Sequence, residues 1–343
     1  MTRSTDISIS ERKLARSGVV EEEVIERRRR RLVSTLQRGL PTLPSYLLDL
    51  NALLAGPIVD LKKAAKVIRT DPSLSAQVLR LCNSALFGLR HRVLSIEQAA
   101  VLLGAERLRT MVLTCAVMQF ARQRVPVESL LEFWQHSFLA ALLSERSARL
   151  LEYAEPEQAY LGGLLHDIGL LPLWMLVIDE QMHHRELPPD NWPDDLEIER
   201  AYFGMDHGKV GRSLAVCWNF MPSFMDVFEH HHEPARAQHD PYLVGIVSAV
   251  DQFLKSCPLT ASEVGGTTDS GAEPAGTLCR EQGSGTPGYL IECFPSLTQE
   301  SCLQIQETLR SEYTHVLPLV RLGISVVAPG VAGDQIPCEE KPT

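Results

Sequence analysis

The sequence lacks any Cys-x-x-Cys pair, although it contains eight cysteines. The cysteines are scattered along the chain, and several, such as Cys82 and Cys115, lie within apolar segments. Disulfide frameworks and zinc knuckles need closely paired cysteines, so neither is expected. We predict reduced thiols, buried in the core of a protein from a reducing compartment.

A membrane-spanning or secretory segment is also missing. The longest apolar stretch, Leu161 to Val177, is interrupted by charged, glycine and proline residues, and it falls short of the ~20 apolar residues that a span needs. The N-terminus begins with polar residues and has no apolar core of a signal peptide. We therefore expect a cytoplasmic protein without a membrane span.

An excess of positive charge is absent, since the 33 Lys and Arg residues are outnumbered by 43 Asp and Glu residues and the net charge is −10. Nucleic-acid binding usually needs a basic surface, so no nucleic-acid partner is expected. Hydrophobic residues make up 45% of the chain and charged residues 22%, which is close to a globular average. Most of the chain should fold, as one large domain or two modest ones.

No alternating period-2 pattern competes with the helical pattern, so the predicted fold class is all-α. Asp71 and Pro72 predict an N-cap and the first residue of a helix. Ser95 and Gln98 form a capping box that opens a helix, and Gly104 closes it. Further helices are predicted near 128–152, 156–168, 195–204, 207–219, 222–232 and 241–256.

Charged residues fill the N-terminal segment, including an unbroken arginine run at 27–31. Glu26 and Arg30 have the i,i+4 spacing that supports a solvated helix. An exposed charged helix is the main interpretation, and a basic contact for a partner or an acidic lipid is the alternative.

Histidines and carboxylates cluster in the second set of helices. The candidate metal ligands are Glu132, His136, His166, Asp167, His207, His231, His232 and Asp251. His166 and Asp167 are consecutive inside an otherwise apolar segment, where a charge is costly unless it is paired or bound to metal. Glu132 and His136 are four residues apart, so on a helix both side chains point the same way.

Each candidate also has an explanation without a metal. Glu132 and His136 are compatible with a salt-linked pair, and His207 with a surface histidine that follows the N-cap Asp206. His231 and its neighbour are compatible with cations at a helix C-terminus. A second His-Asp dipeptide, at 239–240, lies in a polar stretch where its aspartate is predicted to cap the next helix.

Imidazole and carboxylate donors together suit iron, manganese, nickel, cobalt or zinc, as one or two ions. Two ions would activate a water molecule and bind a phosphoryl oxygen, which is the usual chemistry of phosphoester hydrolysis. No motif for an organic cofactor is found.

Several motifs resemble the HDOD domain family. They are Asp71–Ser75, Leu81–Gly88, Ser95–Ile96, Leu102–Gly104, Phe133–Ser137, Gly163–Gly169, Trp218–Asn219 and His231–His232. The resemblance covers about residues 38 to 257 and implies a multi-helix HDOD fold, in which an N-terminal helical half packs on an HD-like helical bundle. It also implies a bacterial signal-transduction output module that works through contacts with other signalling proteins.

The resemblance and the composition of the flanking regions together divide the chain into segments. These are a charged helical extension at 1–38, an HDOD domain at 39–257 with halves 39–125 and 126–257, a flexible Gly/Ser/Pro-rich loop at 258–289, a C-terminal helix at 290–325 and a disordered tail at 326–343.

The eight candidate ligands also fall where HD-GYP phosphodiesterases, relatives that cleave cyclic di-GMP, have metal ligands. However, residues 233–237 contain no Gly-Tyr-Pro loop, and Leu170 replaces a lysine that is common after the HDIG segment of such hydrolases. Three hypotheses follow: a non-enzymatic regulatory module that holds metal, a metal-dependent phosphohydrolase of nucleotides or cyclic dinucleotides in which Asp167 is catalytic, and an adaptor without metal.

Overall fold

The structure is a computed structural model, and it describes residues 22–34, 36, 60–84, 92–121, 125–218, 220–256 and 299–327. All regular secondary structure within these ranges is helical, which confirms the predicted all-α class. The predicted loop at 258–289, the first 21 residues and nearly all of the predicted tail lie outside the described residues.

The helices are numbered here in chain order. They are α1 (22–34), α2 (Leu61–Ile68), α3 (Pro72–Cys82), α4 (Ile96–Ala121), α5 (Val127–Leu150), α6 (Pro156–Leu165), α7 (Leu170–Met182), α8 (Leu196–Phe203), α9 (His207–Cys217), α10 (Pro222–His230), a 3-10 turn (Pro234–Arg236), α11 (Pro241–Ser256) and α12 (Gln299–Val327).

The helix ends follow the predicted caps. The Asp71 side chain accepts a hydrogen bond from the backbone N–H of Leu74, 3.0 Å away. The Ser95 hydroxyl accepts one from the backbone N–H of Gln98 at 3.1 Å, as in the predicted capping box. Gly104 interrupts α4 with φ 73° and ψ −179°, a conformation that is essentially restricted to glycine. The sequence had correctly placed a helix end at this residue.

The chain forms two compact units that are interleaved along the sequence. The first unit comprises Met1–Leu43 and Leu165–Val244, and the second comprises Pro44–Leu164 and Gly245–Thr343. The sequence-based division at 125/126 was sequential, and it stays a prediction.

In the first unit, α9 packs against both α7 and α10. Its core contains the fully buried phenylalanines Phe203, Phe224 and Phe228. In the second unit, α4 packs against α2 and α3, and α12 packs against α5 and α3. Leu74 and Phe138 are among the fully buried side chains of that unit.

The N-terminal arginine run is only partly solvated. Arg30 makes the predicted ion pair with Glu26, at 3.0 Å. By contrast, Arg28 is buried and its guanidinium lies 3.7 Å from the centre of the Tyr202 ring. Arg31 makes an ion pair with the buried carboxylate of Glu180 at 2.5 Å. This face of α1 therefore contacts the rest of the first unit, and the interpretation of α1 as a wholly exposed helix is wrong.

Helix α7 was not predicted, and α6 ends at Leu165 instead of continuing to 168. Pro172 was taken as an interruption of the apolar stretch, but it occupies the first turn of α7. A proline is tolerated there because the first backbone N–H groups of a helix have no partner within the helix.

Pro156–Met182 is the stretch of the described residues that is long and apolar enough to cross a membrane. Its most apolar window is 78% buried within the protein, as in the core helix of a soluble protein. A buried core segment passes the same test of length and composition, so the stretch is weak evidence for a span.

Cys82, Cys115 and Cys217 are free thiols. Cys82 and Cys115 are buried, as predicted, and burial raises the pKa of Cys115 to about 12. Cys217 is exposed, so its predicted burial is wrong.

Candidate metal centre

His166 and Asp167 lie in the turn between α6 and α7, which Gly169 ends. A β-carbon at Gly169 would overlap the backbone carbonyl oxygen of His207 and would lie 2.7 Å from the backbone nitrogen of Gly211. The glycine thus lets the start of α7 approach the first turns of α9. This close approach brings Asp167 to His207.

His207 is the first residue of α9, and the Asp206 side chain caps that helix by accepting from the N–H of Lys209 at 2.9 Å. The fully buried carboxylate of Glu199, on α8, holds His207 in place. It accepts from the backbone N–H of His207 at 2.7 Å and contacts the ring Nδ1 at 2.9 Å. Because an ionised carboxylate only accepts hydrogen bonds, Nδ1 carries the proton and Nε2 of a neutral ring carries a lone pair.

His231 and His232 follow the last turn of α10. Nδ1 of His231 lies 3.0 Å from the carbonyl oxygen of Val227 and 3.1 Å from that of Phe228. Carbonyl oxygens only accept, so this Nδ1 also carries the proton and Nε2 is left with its lone pair.

Four donor atoms of the first unit converge at one point. Nε2 of His207 lies 3.2 Å from Nε2 of His231 and 3.0 Å from Nε2 of His232. The Oδ1 atom of Asp167 lies 3.4 Å from His207 Nε2 and 3.2 Å from His231 Nε2. These four residues form a group whose ligand atoms all lie within 4.8 Å of one another.

The spacing of these donors fits a single metal ion. Ligands bound at about 2.1 Å lie about 3.0 Å apart at a right angle and about 3.4 Å apart at a tetrahedral angle. The four distances above fall between 3.0 and 3.4 Å. Either a proton on one ring or a metal ion must lie between these Nε2 atoms to offset the repulsion of their lone pairs. The residues therefore fit a divalent metal, and three imidazoles with one carboxylate suit zinc, iron, manganese, nickel or cobalt.

Asp167 is held ionised. Burial alone would raise the pKa of its carboxyl group, but the neighbouring His166, His231 and His207 hold that pKa well below its usual range. His166 contributes most among these, with Nε2 at 3.1 Å from Oδ2 of Asp167. An ionised carboxylate is the form that binds a metal.

The histidines differ in their protonation. Burial alone would lower the pKa of His207, but the hydrogen bond with Glu199 and the charges of Asp167 and Asp194 raise the pKa to about 9. Burial, together with the neighbouring His232, lowers the pKa of His231 to about 3. In the metal-free protein His207 is therefore protonated and His231 is neutral, and a metal ion would displace the His207 proton.

The remaining predicted ligands lie in the second unit, apart from His166. His136, on α5, and the buried Asp251, on α11, are in contact, with Nε2 and Oδ1 3.2 Å apart. The Nζ atom of Lys255 lies 2.7 Å from the other oxygen of Asp251. Glu132 is exposed, one turn before His136. The metal-binding roles of these residues stay predictions.

Two carboxylates of the first unit were missed by the sequence reasoning. They are Glu199, which positions His207, and Asp194, whose Oδ1 lies 3.3 Å from His232 Nε2. Acidic residues are common at the start of a helix because they offset its dipole, so Glu199 carried no distinguishing signal. The aspartate of the second His-Asp dipeptide has a different role, since Asp240 caps α11 as predicted.

A cavity of about 290 Å³ adjoins the cluster within the first unit. His232 lines it together with the cationic side chains of Arg200, Lys209 and Arg236. Arg200 makes an ion pair with Asp206 at 2.6 Å, and Arg236 makes one with Glu233 at 2.8 Å. The cavity thus offers charged and polar groups to a ligand beside one of the converging histidines.

The chain is similar in fold to several solved bacterial proteins. An HDOD domain protein of unknown function from Geobacter sulfurreducens shares 21% identity, with a TM-score of 0.62 over 90% of this chain and 99% of that chain. A candidate phosphohydrolase from Shewanella amazonensis SB2B shares 24% identity, with a TM-score of 0.58 over 87% and 98% of the two chains. A candidate signal transduction protein from Marinobacter aquaeolei VT8 shares 19% identity, with a TM-score of 0.60 over 90% and 66%. At these identities the likeness shows the fold.

Among curated proteins, an uncharacterized protein of Treponema pallidum (strain Nichols) is 23% identical over 208 residues, or 59% of this chain. The matched region spans only 39% of that relative's length. The sequence profile of the HDOD domain matches residues 40–234, which is more than half of the chain. The chain therefore belongs to the HDOD domain family.

Proposed function

We propose that this chain is a regulatory module of the HDOD type that holds one divalent metal ion in its first unit and acts through contacts with signalling proteins. The observation that carries the metal site is the convergence of Asp167 Oδ1 and the Nε2 atoms of three histidines. Four of the atom pairs lie 3.0 to 3.4 Å apart, and all four ligand atoms lie within 4.8 Å of one another. The metal would be held by Asp167, His207, His231 and His232, while Glu199 orients the His207 ring.

The experiment is elemental analysis of protein expressed with supplemental iron and manganese, for the wild type, Asp167→Ala and His183→Ala. His183 is an exposed histidine whose Nδ1 contacts its own helix backbone, so it serves as a matched control. We expect about one ion per chain in the wild type and the control, and almost none in Asp167→Ala. An absence of metal from the wild type would refute the proposed site.

A surface of the second unit supports the partner-binding part of the proposal. Leu94, Val101 and Leu102 are exposed by 72%, 77% and 60%. Val101 lines a cavity of about 680 Å³ together with Lys62 and Lys66 on α2. Val101 and its chain neighbour Leu102 are thus exposed apolar residues beside a cavity with polar groups, a combination that marks protein-binding surfaces.

This surface can be tested by placing a photo-crosslinking amino acid at Val101 in the native host. Met182, which is 67% exposed in the first unit, serves as the control position. We expect discrete crosslinked species from position 101 and none from position 182. Equal crosslinking from both positions would remove the support for this surface.

Metal-dependent phosphohydrolysis is the second candidate function, and the cavity beside His232 favours it. Lys209 and Arg200 line that cavity and would attract a phosphoryl group. A bound metal would supply Lewis-acid polarisation of the phosphoryl oxygen. Turnover of bis-p-nitrophenyl phosphate or of cyclic dinucleotides that is lost in Asp167→Ala and kept in His183→Ala would establish this function. If the metal-loaded protein hydrolyses neither substrate, this second function is refuted and the regulatory module remains the proposed function.

A further inference from the structure

The segment that leads into α8 places a further carboxylate at the metal centre. Oδ1 of Asp194 lies 3.3 Å from Nε2 of His232 and 4.0 Å from Nε2 of His207. Both nitrogens are among the four converging donor atoms described above, and the Asp194 side chain is 28% exposed. Asp194 therefore lies at the more solvent-accessible edge of the cluster.

The backbone at Asp194 has an uncommon conformation. Its φ is 68°, and Glu152 and His184 are the other non-glycine residues with positive φ in the described part of the chain. Residues other than glycine rarely adopt a positive φ, although aspartate tolerates it better than most. The next residue, Asp195, caps α8 by accepting from the N–H groups of Glu197 and Ile198, so capping of α8 does not require the Asp194 side chain.

Glu199 holds this backbone and the His207 ring together. Its Oε1 accepts from the backbone N–H of Asp194 at 3.1 Å and contacts Nδ1 of His207 at 2.9 Å. Its Oε2 accepts from the backbone N–H of His207 at 2.7 Å. One fully buried carboxylate thus fixes both the loop that carries Asp194 and the orientation of a converging histidine.

We infer that Asp194 is a fifth ligand of the metal centre and that Glu199 is the positioning residue that couples it to His207. This inference rests on the proposed metal site. Ligands on opposite sides of an ion bound at about 2.1 Å lie about 4.2 Å apart, whereas a tetrahedral site keeps every pair near 3.4 Å. The 4.0 Å between Asp194 and His207 fits the wider angle of a five- or six-coordinate site.

The charges agree with this assignment. Asp167 alone brings one negative charge to the three neutral histidines, and Asp194 brings a second, which together neutralise a divalent cation. A site of higher coordination with two carboxylate oxygens suits manganese or iron, whereas zinc is satisfied by four ligands. Loss of Asp194 should therefore weaken Mn²⁺ binding more than Zn²⁺ binding.

The test is calorimetric titration of the full-length, metal-stripped protein with Mn²⁺ and, separately, with Zn²⁺. The variants are Asp194→Ala, Asp194→Asn and Asp190→Ala, the last being an exposed aspartate of the same loop. We expect Asp194→Ala to weaken Mn²⁺ binding about 10- to 100-fold and Zn²⁺ binding less, with Asn intermediate and Asp190→Ala unchanged. Wild-type Mn²⁺ affinity in Asp194→Ala would overturn the inference.

Glu199→Gln tests the positioning role, because glutamine keeps the shape but loses the charge. We expect both metals to bind about 10-fold or more weakly. We expect the thermal unfolding midpoint of the metal-free variant to stay close to that of the wild type. A lowered midpoint with unchanged affinity would show that Glu199 is merely structural. Absence of metal binding by the wild type itself would instead refute the proposed function, and this inference with it.

Discussion

Asp167 of the first unit and Asp251 of the second are both buried aspartates beside histidines, but their charges are balanced differently. Lys255, one turn after Asp251, supplies a cation at 2.7 Å within the same helix. Around Asp167, the described neighbours are imidazoles, one of them with its pKa lowered to about 3, and further carboxylates lie close by. The second unit thus balances Asp251 with a lysine, whereas the cation beside Asp167 is the protonated His207, whose proton a metal ion would displace.

Removal of each aspartate should give the largest contrast between the two sites. We expect Asp167→Ala to lose the metal ion of the first unit, because it removes one of four converging ligands. We expect Asp251→Ala to keep that ion within about 3-fold of the wild-type affinity, since Asp251 is already paired with Lys255. Equilibrium dialysis with Mn²⁺ or Zn²⁺ measures the metal affinity of both variants. Equal losses of affinity in the two variants would refute the contrast.

The close approach that assembles the first site should be sensitive to a single methyl group. Gly169→Ala places a β-carbon against the His207 carbonyl oxygen, and a backbone atom has no rotamer by which to move away. We expect a loss of about 3 kcal/mol in the free energy of unfolding of the metal-free protein, measured by urea denaturation. Gly211→Ala is the control, because its nearest neighbour is a side-chain carbon of Phe228 at 3.2 Å and we expect a smaller loss. Equal losses would mean that the Gly169 contact is not special.

The internal cation of the second site can be removed with little change in shape. Lys255→Met keeps a linear side chain but leaves Asp251 with less compensation, so the unfolding free energy should fall by about 1–3 kcal/mol. Asp251→Asn in the same background should recover part of this loss, because it removes the buried charge. No recovery in this double-mutant cycle would show that the lysine contributes by packing alone.

A third buried carboxylate, Asp226 of α10, is balanced by the backbone and gives the smallest expected effect. It accepts from the N–H groups of Gln238 and His239, each at 2.7 Å. Burial opposes ionisation, but these N–H groups and the His239 ring lower the pKa of Asp226 below its usual value of 3.8. The ionised form is therefore favoured in the folded protein, and its contribution is present above pH 3.8 and is lost as pH falls through the lower, folded-state pKa.

Asp226→Asn should therefore reduce the unfolding free energy by about 1–2 kcal/mol at pH 7 and make the acid side of the stability profile flatter. Chemical denaturation of both proteins between pH 3 and pH 7, run with Asp190→Ala as an exposed control, measures this difference. A constant difference between wild type and Asp226→Asn at every pH would contradict the lowered pKa.

The sequence predicted the helices whose ends have local signals. Asp71, Ser95, Asp206 and Asp240 cap helices as expected, because each cap depends only on residues three or four positions away. Helix α7 was missed because a proline is tolerated in the first turn of a helix but disrupts its interior. Pro172 was taken as a disruption, whereas it lies in the first turn. The interleaving of the two units was also not predicted, since contacts between distant segments leave no local pattern.

The sequence by itself determined the all-α class, the HDOD resemblance, and the identity of Asp167, His207, His231 and His232 as donors, because residue type and helical period are local properties. Only the tertiary structure decided which donors converge, since this depends on the contact at Gly169 and on the Glu199 hydrogen bonds to His207. Only the tertiary structure places Asp194 beside these donors, because Glu199 holds the loop that carries Asp194. Convergence of side chains from separate helices depends on packing, and packing is a property of the whole folded unit.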